Sequence, residues 1–257
     1  MSKVIKRVYL GLVLFFLYIP IVVLIFYSFN AGKSRAKWEG FSLHWYADLF
    51  RDSAILKALY VTLSVAVIAA IVATVLGTLA AIGIQAMRKR PQGLMMTMTT
   101  LPMTMPDIVT GISLMILFTF SKIERGYVTM LLAHITFNTP YVILSVMPKL
   151  KQMNRFSYEA ALDLGATPSY ALLHVILPEI VPGIITGFLL AFTLSLDDFV
   201  ISYFTTSPMV QNLSTLIYSK ARIGIEPTLN ALSALMFLAL LTLLLLINRR
   251  AAHVEPR

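Results

Sequence analysis

The sequence predicts an all-α, polytopic membrane protein with six transmembrane helices and a single membrane domain over residues 1–257. Hydrophobic residues make up 58% of the chain and charged residues only 13%, whereas a soluble domain carries roughly 25% charge. The apolar residues also form runs of about 20, the length that crosses a hydrocarbon core of about 30 Å. Because backbone groups in lipid must be hydrogen-bonded within their own segment, each run is predicted to be a helix.

The six predicted spans are separated by short connections and by two long loops. The spans cover about residues 8–29, 58–86, 94–120, 127–147, 183–205 and 229–247. The first apolar run, of about 22 residues, exceeds the 7–15 of a cleavable signal peptide, so it is predicted to be a membrane anchor. In the second span, Ala69, Ala73, Gly77 and Ala81 form a small-residue stripe that predicts close approach of another helix.

Basic residues cluster at the ends of the spans, so the net charge of +9 is interpreted as a topology signal and no nucleic-acid partner is predicted. Twelve of the 21 lysines and arginines lie at the start of the chain, in residues 88–90 and 149–155, and at its end. By the positive-inside rule these sites are predicted to be cytoplasmic, with both termini inside. Nine basic residues remain for the opposite side, so the margin is narrow.

The first long loop, residues 30–57, lies outside on this topology and is rich in aromatic side chains. Trp38, Phe41, Trp45 and Tyr46 are typical of an interfacial segment that sits on the membrane surface. The loop is therefore interpreted as an interfacial element without a binding site of its own.

The second long loop, residues 148–182, is predicted to be a cytoplasmic helix–turn–helix that docks onto a partner. Phe156, Ala160 and Leu164 fall on one face of a first short helix. Gly165 is placed to end that helix.

The second short helix of this loop is predicted to start at Thr167 and Pro168. Threonine suits the capping position, and proline suits the first helical position. Pro178 is expected to stop the helix.

Within the apolar runs the clearly intramembrane charged residues are all acidic: Asp107, Asp197 and Asp198. A carboxylate at mid-membrane is costly and usually faces a bundle interior or a wet pathway, so a cationic solute is its natural complement. Neighbouring helical residues differ by about 100°, so Asp197 and Asp198 point in different directions. Tyr203 and Phe204 would add aromatic faces for an ammonium group or a methylene chain.

Structural roles for these acids stay open. The Asp197–Asp198 pair lies toward the outer end of its span, where it could cap a helix break or serve subunit packing. Asp107 follows Pro106, so a role in a proline kink is equally plausible.

Motifs for catalysis or cofactor binding are missing from the sequence. The chain has no cysteine, and its four histidines form no metal-binding cluster, so neither a catalytic nor a metal site is predicted. His134 is interpreted as hydrogen-bonded packing. Gly32-Lys33-Ser34 ends like a phosphate-binding loop, but Tyr27 stands where the first glycine belongs.

The segment EAALDLGATPSYALLHVILPEIVPG, Glu159 to Gly183, resembles the EAA loop of binding-protein-dependent ABC importer permeases. The matching positions are Glu159, Ala160, Ala161, Gly165, Val175, Leu177 and Pro178. Valine at 175 stands where isoleucine is common. The resemblance implies that this loop couples the chain to a cytoplasmic ATPase.

A narrower resemblance covers nearly the whole chain. The segments LYIPIVVLIFYSFN (17–30), MPDIVTGISL (105–114), LAHITFNTPYV (132–142), SLDDFVISYF (195–204) and IEPTLNAL (225–232) are similar to spermidine/putrescine permeases of the PotC/PotI type. This implies a type I permease fold in a bacterial inner membrane, with a sister permease, two ATPase copies that bind ATP and Mg, and an external polyamine-binding protein. No cofactor is expected in this chain itself.

The implied mechanism is alternating access, in which ATP-driven closure of the ATPases shifts the helices around Glu159 to Gly165 and reorients the spans. Asp197 or Asp198 would then contact an ammonium group of the substrate. Two alternatives are an ion-coupled secondary transporter, with the three aspartates as a relay, and an intramembrane enzyme that uses them as general acid and base. The first leaves the EAA loop unexplained, and the second lacks any recognisable protease motif.

Overall fold

The computed structural model describes residues 3–33, 37–224 and 226–254 and is almost entirely helical. The helices are α1 (Lys3–Ser28), α2 (His44–Leu49), α3 (Ser53–Ala86), α4 (Lys89–Thr104), α5 (Asp107–Phe120), α6 (Tyr127–Gln152), α7 (Arg155–Asp163), α8 (Pro168–Ala171), α9 (Leu177–Asp197), α10 (Val200–Thr205), α11 (Leu213–Ile223) and α12 (Pro227–Val254). Extended pairing in the described residues is limited to isolated bridges. The predicted all-α class is confirmed. Ser34 and Ile225, named in the sequence analysis, and Arg257, counted there among the basic residues at the end of the chain, lie outside the described residues.

Four helices are long and apolar enough to cross a membrane: Val4–Ser28, Ser53–Ala86, Tyr127–Gln152 and Pro168–Asp197. The pair α4 and α5 passes the same test together, but the two helices are bent by 101°. The apolar part of α12, Pro227–Thr242, is shorter. The described residues thus show a multi-pass membrane protein with four or five spans by length, and the count of six stays a prediction.

The bend between α4 and α5 corrects the continuous helix predicted over residues 94–120. α4 ends at Thr104, the next residue, Met105, has an extended backbone (φ −82°, ψ 145°), and Pro106 precedes the first residue of α5. A residue before proline is driven out of the helical region, and proline has no N–H to continue the ladder. The kink expected at this proline is therefore a full break.

The helix that leaves the second long loop also differs from the prediction. α8 continues through a π-helical turn, Leu172–Ile176, into α9, so Pro178 does not stop a helix. Leu177 N–H bonds to the Leu172 carbonyl five residues back. The wide turn accommodates the missing N–H of Pro178, because a π-turn already interrupts the i→i−4 pattern. At its other end α9 stops at Asp197 rather than running to residue 205.

The described chain divides into two compact units, and the larger one, Ala58–Thr215 with Arg249–Arg257, contains the main core. α6 packs along α9, and both α3 and α9 approach α6 through glycines. A Cβ on Gly77 would lie 2.7 Å from the Val142 Cβ, and one on Gly187 would lie 3.1 Å from Val142 Cγ1. Ala69, Ala73 and Ala81 are fully buried beside this contact, so the predicted stripe is a packing surface.

The smaller unit, Met1–Lys57 with Leu216–Asn248, contains an ordered loop after α1. Trp45 Nε1 donates to the Asn30 carbonyl at 2.7 Å, and the hydroxyls of Tyr46 and Ser28 lie 2.7 Å apart. Trp45 is buried, so it packs within the loop instead of lying on a membrane surface. Phe41 remains 69% exposed, as an interfacial residue would.

Candidate functional site

The loop after α6 contains the first predicted short helix, α7, and the start of the second, α8, which runs on into α9. Gly165 ends α7 with φ +88°, a left-handed conformation that glycine adopts without strain. Its N–H bonds to the Leu162 carbonyl at 2.9 Å, and the Ala166 N–H bonds to Ala161 at 3.0 Å. These two bonds are the Schellman arrangement of a helix end. Thr167 caps α8 by accepting the Tyr170 N–H. The predicted end of the first helix and the predicted start of the second are therefore confirmed.

The predicted apolar face of α7 points away from the core. Phe156 is 71% exposed and Leu164 is 89% exposed, and Ala160 lies exposed between them. Apolar side chains presented together on a short, well-capped helix are typical of a contact surface for a partner. We call Phe156, Ala160 and Leu164 the coupling face.

The other residues of the EAA resemblance lie on the sides of this element. Glu159 and Pro178 are exposed, whereas Ala161 and Val175 are half-buried. Leu177 packs against the core formed by α3, α6 and α9. The motif thus combines anchoring residues with exposed ones.

Asp198 lies in the break between α9 and α10, where its side chain is largely buried and hydrogen-bonded. Its side chain is only 10% exposed. Its Oδ2 accepts the Ser202 N–H at 2.7 Å, and its Oδ1 accepts the Ile201 N–H at 3.3 Å. His134 Nε2 of α6 lies 3.5 Å from the same carboxylate. These contacts correspond to the helix-capping alternative raised from the sequence.

A buried polar network surrounds Asp198. Asn212 donates to the Ser202 hydroxyl at 2.9 Å and to the Asp198 carbonyl at 3.1 Å. The Ser202 hydroxyl also lies 2.9 Å from His134 Nε2, so the interpretation of His134 as hydrogen-bonded packing is confirmed. Sequence reasoning missed Asn212 and Ser202. The sequence could have indicated them, because they are polar side chains in or beside apolar segments and a buried polar side chain needs a hydrogen-bond partner.

Asp197 is the exposed member of the pair. It is the last residue of α9, and its carbonyl accepts the Ser214 hydroxyl at 3.3 Å. The Tyr203 ring is 44% exposed and lies 5.5 Å from the Phe199 ring, measured between centroids. An exposed carboxylate, in a segment that also carries the exposed Tyr203 ring, suits a ligand with an ammonium group.

Phe204 lies at the contact between α10 and α5, whereas Asp107 lies exposed at the start of α5. Phe204 packs onto Gly111, where an added Cβ would lie 2.9 Å from the ring. Asp107, the first residue of α5, is exposed one turn before Gly111. A carboxylate at a helix start is stabilised by the helix dipole, which gives Asp107 a role at the break.

In the part of the chain that the structure describes, no group of three or more histidine or acidic side chains is arranged to hold a metal ion. The Asp198 carboxylate is instead engaged by backbone N–H groups of Ile201 and Ser202 and by His134.

Comparison with known proteins gives the family. Residues 73–257 match the family described as binding-protein-dependent transport system inner membrane component. The putrescine transport system permease protein PotI of Escherichia coli K12 is 42% identical over 228 residues, covering 86% of this chain and 81% of its own. The spermidine/putrescine transport system permease protein PotC of Haemophilus influenzae is 37% identical and covers 96% of this chain and 98% of its own.

Solved structures show the same fold at low sequence identity. A bacterial ABC transporter for the import of alginate matches with a TM-score of 0.73 at 18% identity, covering 99% of both chains. The MetNI methionine ABC transporter matches with a TM-score of 0.64 at 15% identity, covering 84% of this chain and all of the other. The fold is therefore that of an ABC importer permease. The matching family consists of transport components and not of enzymes. By its sequence match and its fold, the chain belongs to the binding-protein-dependent transport system inner membrane components.

Proposed function

We propose that the chain is a permease subunit of an ATP-driven polyamine importer in a bacterial inner membrane. The observation that carries this proposal is the likeness to putrescine and spermidine/putrescine permeases along almost the whole chain. The acidic character of the residues near the outer end of α9 agrees with a polycationic substrate. Both termini would be cytoplasmic, as the distribution of basic residues indicates.

The coupling face is the proposed contact for the ATPase. In this assembly a sister permease completes the pathway, two ATPase copies bind ATP and Mg, and an external protein delivers the polyamine. Phe156 and Leu164 would enter an apolar groove of the ATPase, in the manner of a helix recognised through its exposed side chains. A rigid α7–α8 element would then transmit the closure of the ATPases to α9, which continues from α8 without a break in the helix.

Asp197 is the proposed contact for a substrate ammonium group, and Asp198 is proposed to hold the α9–α10 corner in place. Asp197 is exposed, so its carboxylate is accessible to a substrate. Asp198 is instead engaged by two backbone N–H groups and by His134. Asp107, Tyr203 and Phe204 would contribute the α5 and α10 sides of the same outer region.

Transport by the reconstituted complex tests the proposed function. Proteoliposomes containing the full complex should accumulate labelled putrescine or spermidine only when ATP and the binding protein are supplied. Uptake that follows an imposed proton or sodium gradient without ATP would instead favour the secondary-transporter alternative.

The role of Asp197 is tested by charge rather than size. Asp197→Asn should raise the KM for uptake, whereas Asp197→Glu should retain most activity because it keeps the carboxylate. Basal ATPase activity should stay unchanged in both variants. An Asp197→Asn complex with the wild-type KM would remove the proposed contact.

The role of the α7 end is tested at Gly165. An added Cβ meets no other atom within 4 Å, so substitution acts through the backbone conformation and not through a clash. Gly165→Val should uncouple ATP hydrolysis from uptake, because a β-branched residue disfavours positive φ. Gly165→Asn, which tolerates this conformation, should stay coupled. Equal coupling in both variants would contradict the requirement for this helix end.

A further inference from the structure

A cavity of about 800 Å³ lies on the core side of the coupling loop, within the larger unit. Its walls are the end of α3, the start of α4, the end of α6, and the helices α7 and α8. This volume is in the range of small-molecule sites, which are about 300–1,000 Å³. The proposed function assigns no role to this cavity.

The lining combines an apolar floor with a polar rim. Ile82, Leu150 and Leu172 contribute aliphatic surface, whereas Arg88 and Lys89 bring two positive charges to the start of α4. Both basic side chains are exposed, and neither forms a salt bridge with any residue that the structure describes. Glu159 is the acidic residue of the lining, so the cavity carries a net positive charge.

The cavity and the coupling face occupy different sides of α7. Tyr158 lines the cavity and packs against the core, whereas Phe156 is exposed. Two residues along a helix correspond to a rotation of about 200°, so these side chains point in nearly opposite directions. A partner bound to the coupling face would therefore leave the Tyr158 side of α7 uncovered.

We propose that this cavity binds the headgroup of an anionic phospholipid. The cavity lies at the ends of α3 and α6, two helices long enough to cross a membrane, so it is expected near one membrane surface. Basic pockets between transmembrane helices are suited to such headgroups. The start of α4 has no side-chain cap, so its positive dipole end adds to the charges of Arg88 and Lys89.

The positive charge of the lining also disfavours a polyamine as the occupant of the cavity. A polyamine would bring its ammonium groups toward Arg88 and Lys89, which is unfavourable in a partly dehydrated cavity. An anionic lipid places its phosphate at these cations and its glycerol and first methylene groups over the apolar floor.

Such a lipid would connect the α3–α4 junction with α7 and α8. The coupling of ATP hydrolysis to transport would then depend on anionic lipid, and this consequence rests on the proposed function. The binding itself does not depend on transport, so the two ideas are tested separately.

Binding is measured on the full complex in nanodiscs of phosphatidylcholine doped with increasing phosphatidylglycerol, with bound lipid counted by native mass spectrometry. The double variant Arg88→Gln/Lys89→Gln should bind phosphatidylglycerol about 25-fold more weakly, since each cation that lines the cavity and contacts the headgroup contributes about fivefold. Arg90→Gln is the matched control, because Arg90 is exposed on the same helix start but does not line the cavity. It should retain the wild-type affinity.

A steric variant keeps the test independent of charge. Ser169 lines the cavity and is exposed, so Ser169→Phe should fill space and displace the lipid without removing a cation. Unchanged phosphatidylglycerol binding in both the double variant and Ser169→Phe would overturn the proposal, as would an equal loss in Arg90→Gln. Competition by soluble glycerol 1-phosphate at equal affinity would overturn the lipid assignment. Lipid binding that responds as expected in a complex without polyamine uptake would refute the proposed function alone.

Discussion

Two adjacent aspartates at the end of α9 have different environments, although the sequence treats them as a pair. Asp198 accepts two backbone N–H groups and faces His134, whereas Asp197 is exposed. A rotation of about 100° between neighbours explains the separation, and the sequence analysis anticipated it. Which aspartate turns inward depends on where α9 stops, and that could not be read from the apolar run.

Replacement of Asp198 should lower the stability of the protein more than replacement of Asp197. Asp198→Ala removes the acceptor of two part-buried N–H groups, which costs about 2 kcal/mol of unfolding free energy. Asp197→Ala should change it by less than about 0.5 kcal/mol, as at most exposed positions. Unfolding of the purified chain in detergent measures both, and equal losses would contradict the capping role.

The ion pair between Asp52 and Lys220, 2.9 Å apart, predicts a pH-dependent contribution in the smaller unit. The hydrogen bond from Lys220 holds the pKa of the Asp52 carboxyl below its ordinary value of 3.8. The stabilisation is therefore complete above pH about 3.8 and is lost as the pH falls through the lower folded-state pKa. Because the side chains are 25% and 30% exposed, solvent screening limits it to about 1 kcal/mol or less.

Lys220→Met removes only the stabilisation from the ion pair, since the Asp52 carboxylate still caps α3 through the Ala54 and Ile55 N–H groups. The Tm of the variant should lie below that of the wild type at pH 7, and the difference should shrink as the pH falls below about 3.8. A Tm difference that is constant from pH 7 to pH 3 would contradict the ion-pair origin.

At the scale of elements, the approach of α3 to α6 depends on Gly77. An added Cβ would lie 2.7 Å from the Val142 Cβ and 3.1 Å from the Thr139 carbonyl oxygen. The four-residue spacing of small side chains predicted this surface, because such a stripe has few other uses in an apolar helix. Its partner helix could not be predicted, since any helix with a complementary ridge would satisfy the pattern.

Gly77→Ala should therefore destabilise the protein by about 1–3 kcal/mol, the usual cost of overpacking. Gly83→Ala on the same helix is the control, because its added Cβ meets no other atom within 4 Å. That variant should be neutral or slightly stabilising, since alanine favours a helix over glycine. Thermal unfolding of the two variants in the same detergent compares them, and equal Tm values would contradict the packing role of Gly77.

The coupling loop shows what local sequence signals can and cannot predict. Gly165, Thr167 and Pro168 act through their own backbone or the next few residues, so their positions identified the helix ends correctly. Pro178 failed as a stop signal because the π-helical turn before it absorbs the missing N–H. Such a turn depends on packing against neighbouring helices, which no local pattern encodes.

At the scale of the whole molecule, membrane orientation can be tested directly because the chain contains no cysteine. Single cysteines at Phe41, 69% exposed, and at Asp163, also exposed, would lie on opposite sides of the membrane in the proposed topology. An impermeant maleimide added to intact spheroplasts should label Phe41→Cys and should reach Asp163→Cys only after lysis. The reverse pattern would invert the topology and remove the ATPase contact.

Composition and apolar run lengths predicted the class of the whole molecule, because lipid imposes helices on any spanning segment. They did not predict the corner at Pro106 or the early end of α9, since both are decided by a few residues inside long apolar runs. The Asp198 network also escaped prediction, because His134, Ser202 and Asn212 come from three separate stretches of the chain.

The corner between α4 and α5 has a consequence for where solvent meets this protein. A helix that stops inside the bilayer leaves its last carbonyl oxygens without amide donors, and acyl chains offer none. The 101° corner must therefore be covered by protein or wetted by a water-filled crevice. A water-filled crevice predicts that hydrophilic reagents reach Met105 and Asp107 from an aqueous compartment, whereas a protein cover predicts that they do not, although both residues lie within a stretch that hydropathy alone assigns to the membrane core.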